Sequence, residues 1–198
     1  MVTRRRVVTR RDAMVNPHRP RITAASTEYA RDLAICHIES WREAYRGLVP
    51  DHVLAAFDVD RRAARWAALI DSIDESAAAD RTAHTIVLAL DDTRAPGDRV
   101  LGFAHAGPPR DEPRVADREL YALYVRADRY GTGIAQELLR AILLPDTDTA
   151  LWVFEENPRA RNFYRKFGFA ADEARRIEPF SLASEIRMIA RRPITGRR

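Results

Sequence analysis

The spacing of apolar and polar residues along the chain predicts alternating helices and strands. Apolar positions at helical spacing predict helices over 27–46 and 60–73, with Ser26 and Asp60 as N-caps, and a short helix from Asp51 to Phe57. The β-rich runs 83–90 and 100–106, joined by the turn segment DDTRAPGD, predict a hairpin. Further strands are expected at 21–25, 120–125, 150–154, 169–177 and 185–190, with helices at about 132–143 and 158–168.

This order of elements indicates one α+β domain over residues 22–190. The sequence has no internal repeat and no second apolar core. Residues 1–21 carry seven arginines and one aspartate and are expected to form a disordered basic tail, and residues 191–198 form a second basic tail with four arginines.

Charge and composition exclude several classes of protein. The chain of 198 residues has a net charge of +4, but the tails carry all of the positive excess and the body over 22–190 has a net charge of −6. A nucleic-acid-binding protein would carry its basic charge on a folded face, so nucleic acid is not an expected partner. No apolar run reaches the roughly 18–20 residues of a membrane span, and the arginine-rich N-terminus lacks the apolar stretch of a secretory signal. A single cysteine allows no intrachain disulfide, so we expect a cytoplasmic protein.

The segment DRYGTGIAQELL, residues 128–139, predicts an anion site. Two glycines follow a strand and open a helix, so free N–H groups from Gly131 to Gln136 and the helix dipole favour a phosphate. A P-loop would end in Gly-Lys-Ser/Thr, and a dinucleotide fingerprint would carry its third glycine one place later. Coenzyme A is the third phosphate ligand considered, and a purely structural turn also fits this segment alone.

Two longer segments closely resemble the Gcn5-related N-acetyltransferase (GNAT) family. They are ELYALYVRADRYGTGIAQELL and LWVFEENPRARNFYRKFGF, and the segment HIESWREAYRGLVPDHV is also similar to many members. The family's phosphate motif, Gln/Arg-x-x-Gly-x-Gly/Ala, matches residues 130–135 except that Tyr130 stands at its first position. Asn157 and Tyr164, followed by Gly168 and Phe169, match the second motif without exception.

The resemblance implies a single domain with a central mixed, mostly antiparallel sheet that splays open between two strands and is flanked by helices. It implies acetyl-CoA as cosubstrate, its pantetheine arm lying between the strands 119–125 and 150–154 and its pyrophosphate on the glycine turn. No metal is expected, because the five histidines do not pair with Cys or Glu at ligand spacing. The implied cofactor-binding residues are Leu123, Tyr124, Val125, Arg129, Tyr130, Gly131, Thr132, Gly133, Ile134, Ala135, Gln136, Asn157, Arg161 and Tyr164.

The resemblance also implies the catalytic groups. Tyr164 is expected to protonate the leaving thiolate. Glu119 stands eleven residues before Tyr130, the offset of the catalytic glutamate in the histone-acetyltransferase branch, and strict strand alternation places it on one face with Tyr121, Leu123 and Val125. Glu119 is therefore the expected base, with Glu155, water or no dedicated base as alternatives.

The acceptor is expected to be a primary amine, and a small molecule is favoured over a protein N-terminus or lysine. Trp41 and Tyr45 lie four residues apart on one helix face and are expected to line the acceptor pocket. A non-catalytic acyl-CoA sensor is the alternative from another functional class. A homodimer is left open, and no membrane partner is expected.

Overall fold

A computed structural model describes residues 20–44, 56–73, 83–179 and 182–191. Within these ranges the chain forms seven strands and four α-helices. The strands are β1 (Arg21–Ala24), β2 (Thr85–Leu90), β3 (Val100–Gly107), β4 (Arg118–Val125), β5 (Thr149–Phe154), β6 (Phe169–Ile177) and β7 (Ser184–Ala190). The helices are α1 (Ala30–Ala44), α2 (Val59–Ser72), α3 (Ile134–Ile142) and α4 (Pro158–Arg165), with 3₁₀ turns at Thr27–Tyr29 and Ala127–Arg129.

All seven strands form one sheet in the order β1-β2-β3-β4-β5-β7-β6. Every neighbouring pair is antiparallel except β4 and β5, which run parallel. The expectation of an α+β domain with a mixed, mostly antiparallel sheet is confirmed.

Apolar residues cover both faces of the sheet. On one face, α3 buries Ile134, Leu138, Leu139 and Ile142 against β2, β3 and β4, a spacing that follows the helical period. On the other face, α1 and α2 pack together, and Trp66 of α2 is buried there against Phe103 of β3. The sheet is therefore the middle layer of three, and β4 lies at its centre.

A β-bulge at Tyr121 interrupts the alternation of side chains along β4, so the residues before it lie on other faces of the sheet than strict alternation predicts. The register runs from Ala122 opposite His105 directly to Leu120 opposite Ala106, so Tyr121 has no partner of its own on β3. Leu120, Leu123 and Val125 consequently all belong to the apolar cluster under α3. Glu119 faces the opposite side from Leu123 and Val125, so the alternation assumed from the sequence was wrong for those two residues.

Strands β4 and β5 separate after three residue pairs. Pairing runs from Arg118–Thr149 to Leu120–Leu151 and then stops. Beyond that point β4 stays paired with β3 as far as Val125, and β5 stays paired with β7 as far as Phe154. The gap between the two strands is the splay that the resemblance implied.

Several element boundaries differ from those expected. The N-cap of α2 is Asp58, whose carboxylate accepts a hydrogen bond from the Arg61 N–H, whereas Asp60 lies inside the helix. The Ser26 hydroxyl donates to the Glu28 carboxylate instead of capping a backbone N–H. Arg21 already belongs to β1, one residue before the expected start of the domain. Most of the short helix expected from Asp51 to Phe57 lies outside the described residues.

Candidate active site

A cleft of about 810 Å³ lies where β4 and β5 separate. Its walls come from the end of α1, the second half of β4, the glycine turn with the start of α3, the end of β5 and one side of α4. The predicted cofactor residues that line it are Leu123, Tyr124, Val125, Arg129, Tyr130, Gly131, Gly133, Ile134, Ala135, Gln136, Asn157 and Tyr164.

The glycine turn has a backbone that only glycine adopts easily. Gly131 and Gly133 have φ of +79° and +91°, and Gly133 is the N-cap of α3. A Cβ built on either glycine would have no protein atom within 4 Å. The left-handed backbone therefore explains the two glycines, and the space beside them stays open to the cleft.

The turn presents unpaired backbone N–H groups. Gln136 and Glu137 donate to the Gly133 carbonyl, and Thr132 reaches the Arg129 carbonyl at 3.4 Å. In the part of the chain that the structure describes, the N–H groups of Gly131, Gly133, Ile134 and Ala135 have no backbone acceptor. Together with the α3 dipole they give this end of the cleft the chemistry that favours an anion. This set of free N–H groups is smaller than the expected run from Gly131 to Gln136, because the N–H groups of Thr132 and Gln136 already have backbone acceptors.

The second half of β4 directs backbone groups into the gap. The Arg126 N–H donates to the Leu101 carbonyl on the β3 side. Successive residues of a strand turn their amides to opposite sides, so Leu123 and Val125 direct theirs toward β5, where no strand partner exists. This edge can pair with an extended ligand that carries amide groups.

Asn157 closes the opposite wall. Its Oδ1 accepts a hydrogen bond from the Ala160 N–H at 2.9 Å, which makes it the N-cap of α4 ahead of Pro158. Its amide nitrogen is not needed for the cap, and the residue lines the cleft. Helix capping and ligand binding are therefore compatible at this position.

Tyr164 extends from α4 into the cleft. Its ring contacts those of Phe163 and Phe169 with centroids 5.3 and 5.7 Å apart, and it packs against the apolar cluster under α3. Burial, followed by the proximity of Tyr124, raises the pKa of Tyr164 above its usual value. No hydrogen-bond partner of the hydroxyl is found among the described residues, so a neutral phenol is available to donate a proton.

Residues 38–169 match the model of the Acetyltransferase (GNAT) family, and this range covers two thirds of the chain and both motifs. The chain belongs to the GNAT family. It is an N-acetyltransferase, and thus an acyltransferase.

Related proteins agree with this assignment. The chain is 28% identical over 142 residues to "Uncharacterized N-acetyltransferase YuaI" of Bacillus subtilis, covering 69% of this chain and 73% of that protein. It is 29% identical over 161 residues to "Probable N-acetyltransferase Rv2775" of Mycobacterium tuberculosis, covering 80% of this chain and 84% of that protein. The crystal structure of the PaiA N-acetyltransferase of Thermoplasma acidophilum, in complex with coenzyme A, superposes on this chain with a TM-score of 0.60 at 18% sequence identity. The match covers 86% of this chain and 98% of that chain.

Within this GNAT fold, Glu119 is already fully engaged. Its side chain is 2% exposed. Oε2 accepts the Arg110 backbone N–H at 2.9 Å, and Oε1 accepts Nε at 3.1 Å and also Nη2 of the same arginine. Glu119 pairs with Ala150 where β4 and β5 are still joined, and it does not line the cleft.

Glu155 is also tied to neighbouring groups. Hydrogen bonds from Arg175 and Ser184 lower the pKa of its carboxyl below the usual range. A carboxylate stabilised in its charged form is a weak base, and Glu155 does not line the cleft.

The side chains of three predicted cofactor residues are bonded to neighbouring groups of the protein, and two of these residues, Thr132 and Arg161, do not line the cleft. Arg129 lines the cleft and pairs with Asp128 at 3.1 Å. The Thr132 hydroxyl donates to the Arg129 carbonyl at 2.7 Å, inside the turn. Arg161 is turned away from the cleft, and its Nη1 donates to the Glu155 carbonyl at 2.9 Å.

Of the two predicted acceptor residues, Trp41 does not line the cleft. Trp41 packs on Phe57 and His37, with centroids 5.6 Å apart in both contacts. Tyr45 lies outside the described residues. Instead, Ser40, Glu43 and Ala44 form the cleft wall of α1, because residues three and four apart share a helix face and Trp41 is rotated away from it.

Sequence reasoning also missed five residues of α4 and its C-cap. Arg159, Ala160, Asn162, Phe163 and Lys166 line the cleft. Arg159 lies three and four residues before Asn162 and Phe163, which lie four and three residues before Lys166, and Ala160 lies four residues before Tyr164, so these residues follow the helical spacing of one face.

No cluster of three metal-ligating side chains occurs within the described ranges. The same ranges contain no helix with the length and apolar character needed to span a membrane.

Proposed function

We propose that the enzyme binds acetyl-CoA in the cleft between β4 and β5 and transfers its acetyl group directly to a primary amine of a small molecule. One observation carries the proposal. The unpaired β4 edge, the anion-binding turn and the unpartnered Tyr164 hydroxyl all belong to a single cleft.

The cofactor assignment follows from the chemistry along the cleft. A diphosphate suits the free N–H groups of Gly131, Gly133, Ile134 and Ala135. A pantetheine arm carries two amides and suits the backbone edge of Leu123 and Val125, with the Asn157 amide on the facing wall. The PaiA enzyme of similar fold was solved with coenzyme A, which supports the same ligand here.

The reaction needs no covalent intermediate on the enzyme. The amine nitrogen attacks the acetyl carbonyl carbon, and the carbonyl oxygen becomes an oxyanion. The Val125 N–H, which points into the gap, is placed to stabilise that charge. The intermediate then collapses, the carbon–sulfur bond breaks, and the thiolate leaves.

Tyr164 is the proposed acid. Its hydroxyl gives its proton to the departing sulfur and thereby prevents the thiolate from recombining with the acyl carbon. The acylated nitrogen loses its extra proton to water, and the Tyr164 oxygen takes a proton back from water, which restores the phenol. Since its pKa is raised by burial, Tyr164 stays protonated throughout the physiological pH range.

For Glu119 the contacts favour a structural role over the expected base. A carboxylate that takes a proton would have to give up hydrogen bonds from Arg110, and Glu119 is not among the residues that line the cleft. We therefore propose that the attacking amine loses its proton to water. On this view turnover rises with pH as the free-amine fraction increases, and Glu119 holds the β3–β4 connection in place.

One acidic side chain of the α1 wall suits a cationic amine. Glu43 is the one carboxylate among the described residues that line the cleft, and it has no ion-pair partner there. A protonated amine is attracted to such a group before it loses its proton. The preference for a small molecule over a protein rests on the size class of the resembling family members.

The test is acetyl-CoA-dependent release of free thiol against a panel of small amines, peptides with free N-termini and lysine peptides. We expect release with at least one small amine. Release with peptides alone would contradict the small-molecule acceptor. Binding of acetyl-CoA without release in any assay would favour the acyl-CoA sensor.

A further inference from the structure

Tyr130 and Arg159 join the two walls of the cleft at its phosphate end. Tyr130 ends the turn after β4, and Arg159 lies in the first turn of α4, after β5. The Arg159 Cζ lies 3.8 Å from the centroid of the Tyr130 ring, well inside cation–π range. Both side chains are exposed and both residues line the cleft.

The contact matters because Tyr130 replaces the Gln or Arg of the motif. A polar side chain before the glycine turn is thereby missing from the β4 wall. The stack brings a guanidinium to the same place from the α4 wall. Arg159 can therefore supply the cation that position 130 lacks.

Arg159 forms no ion pair among the described residues, although the carboxylate of Glu43 acts electrostatically on the neighbouring Tyr130. The first turn of α4 contains no acidic residue. The helix dipole disfavours a cation at this end of a helix. Arg161, in the same turn, is tied to the Glu155 carbonyl, which leaves Arg159 as the arginine of α4 that lines the cleft. Such a cation is stabilised when an anion binds beside it.

We propose that Arg159, held on the ring of Tyr130, binds the diphosphate of the cofactor opposite the glycine-turn amides. This inference rests on the proposed use of acetyl-CoA. Its chemistry is that of a charge-assisted hydrogen bond from a guanidinium to a phosphate oxygen, with the tyrosine ring fixing the plane of the guanidinium.

The first experiment measures dissociation constants of coenzyme A for the wild type and for Arg159→Gln by calorimetry. We expect about tenfold weaker binding in the variant, the usual scale for one exposed charged hydrogen bond. Arg165→Gln is the matched control, because Arg165 lies on the same helix, bonds to Asn162 and does not line the cleft. Equal affinities of Arg159→Gln and wild type would overturn the proposal.

Two ligands distinguish the phosphate groups of the cofactor. Coenzyme A and 3′-dephospho-coenzyme A should lose the same factor in Arg159→Gln if the diphosphate is bound. A loss confined to coenzyme A would place Arg159 at the 3′-phosphate and overturn the assignment. S-acetylpantetheine, which has no phosphate, should be used equally well by both proteins.

A double-mutant cycle tests the stack itself. Tyr130→Ala alone should weaken coenzyme A binding less than Arg159→Gln does, and in the Arg159→Gln background it should add little. Additive losses would show that Tyr130 does not act through Arg159. Failure of the wild type to bind coenzyme A would instead refute the proposed function, so the two failures can be told apart.

Discussion

The two ends of strand β4 belong to one extended segment but differ in their pairing partners. Glu119 and Leu120 are paired with both β3 and β5, Arg118 is paired with β5, and the buried side chains of Arg118 and Glu119 have protein partners. From Leu123 to Val125 the strand is paired with β3 alone and borders the cleft. We call Leu123–Val125 the working end, because backbone groups there face β5 without a strand partner, and Arg118–Leu120 the anchored end. The comparison teaches that unpaired backbone groups mark the working end, whereas buried charged side chains with protein partners mark the anchored end.

Gly133→Glu should produce the largest effect, because it blocks the working end. It places a side chain and a negative charge where the diphosphate is expected. A ligand at 100 times its dissociation constant stabilises a protein by about 2.7 kcal/mol, and the variant should lose that gain when acetyl-CoA is added in a thermal melt.

Gly133→Asn is the control for this variant, since asparagine tolerates a positive φ and adds no charge. It should keep part of the acetyl-CoA response. A full response in Gly133→Glu would remove the diphosphate from this turn.

Tyr164→Phe should lower turnover by roughly 10–10³-fold with little change in acetyl-CoA affinity, because general acid catalysis typically contributes ~10²–10⁴-fold. Tyr121→Phe is its counterpart at the anchored end, where the hydroxyl donates to the Pro108 carbonyl. That variant should lose about 1 kcal/mol of stability and no turnover. Equal turnover of Tyr164→Phe and wild type would contradict the proposed acid.

Glu119→Gln should reduce stability more than chemistry. Removing the charge breaks the ion pair with Arg110, at a cost of about 1–3 kcal/mol in the free energy of unfolding. Any loss of turnover should be the same factor at every pH from about 6.5 to 9.5. Recovery of activity at high pH, where free amine is plentiful, would instead identify Glu119 as the base.

The prediction with the smallest effect at neutral pH concerns His105, which lies beside Tyr121 at the anchored end with ring centroids 4.8 Å apart. Burial, followed by the neighbouring His84, lowers the pKa of His105 to about 3. Its unfolded pKa is about 6.5, so its contribution to stability is complete above that pH and is lost as pH falls toward 3.

The free energy of unfolding should therefore decrease on acidification by up to about 1.4 kcal/mol per pH unit for this histidine. His105→Gln should show a shallower decrease in chemical denaturation from pH 7 to 4, and unchanged turnover. An identical slope in the variant would show that His105 does not titrate with folding.

The sequence predicted the working end of β4 better than the anchored end. Gly131, Gly133, Asn157 and Tyr164 stand in local motifs, and local backbone geometry decides their positions. The bulge at Tyr121 depends on the register against β3, which no local pattern encodes, so the face of Glu119 relative to Leu123 and Val125 was mistaken.

Contacts between side chains on different elements could not be predicted from the sequence either. Residues Arg110 and Glu119 meet because the β3–β4 connection folds back over the sheet, and Tyr130 meets Arg159 across the gap. Trp41 was expected at the acceptor pocket from its spacing to Tyr45, but helix α1 turns Ser40 and Glu43 to the cleft instead. Spacing identifies which residues share a helix face, and packing decides where that face points.

The most direct test of the central claim is amide NMR of the full chain with and without coenzyme A. The account predicts large shift changes for the amides of Leu123 and Val125 and for those of Gly131, Gly133, Ile134 and Ala135, with none at Arg118–Leu120. Saturating coenzyme A that leaves residues 123–135 unchanged, or that shifts the anchored end alone, would contradict it.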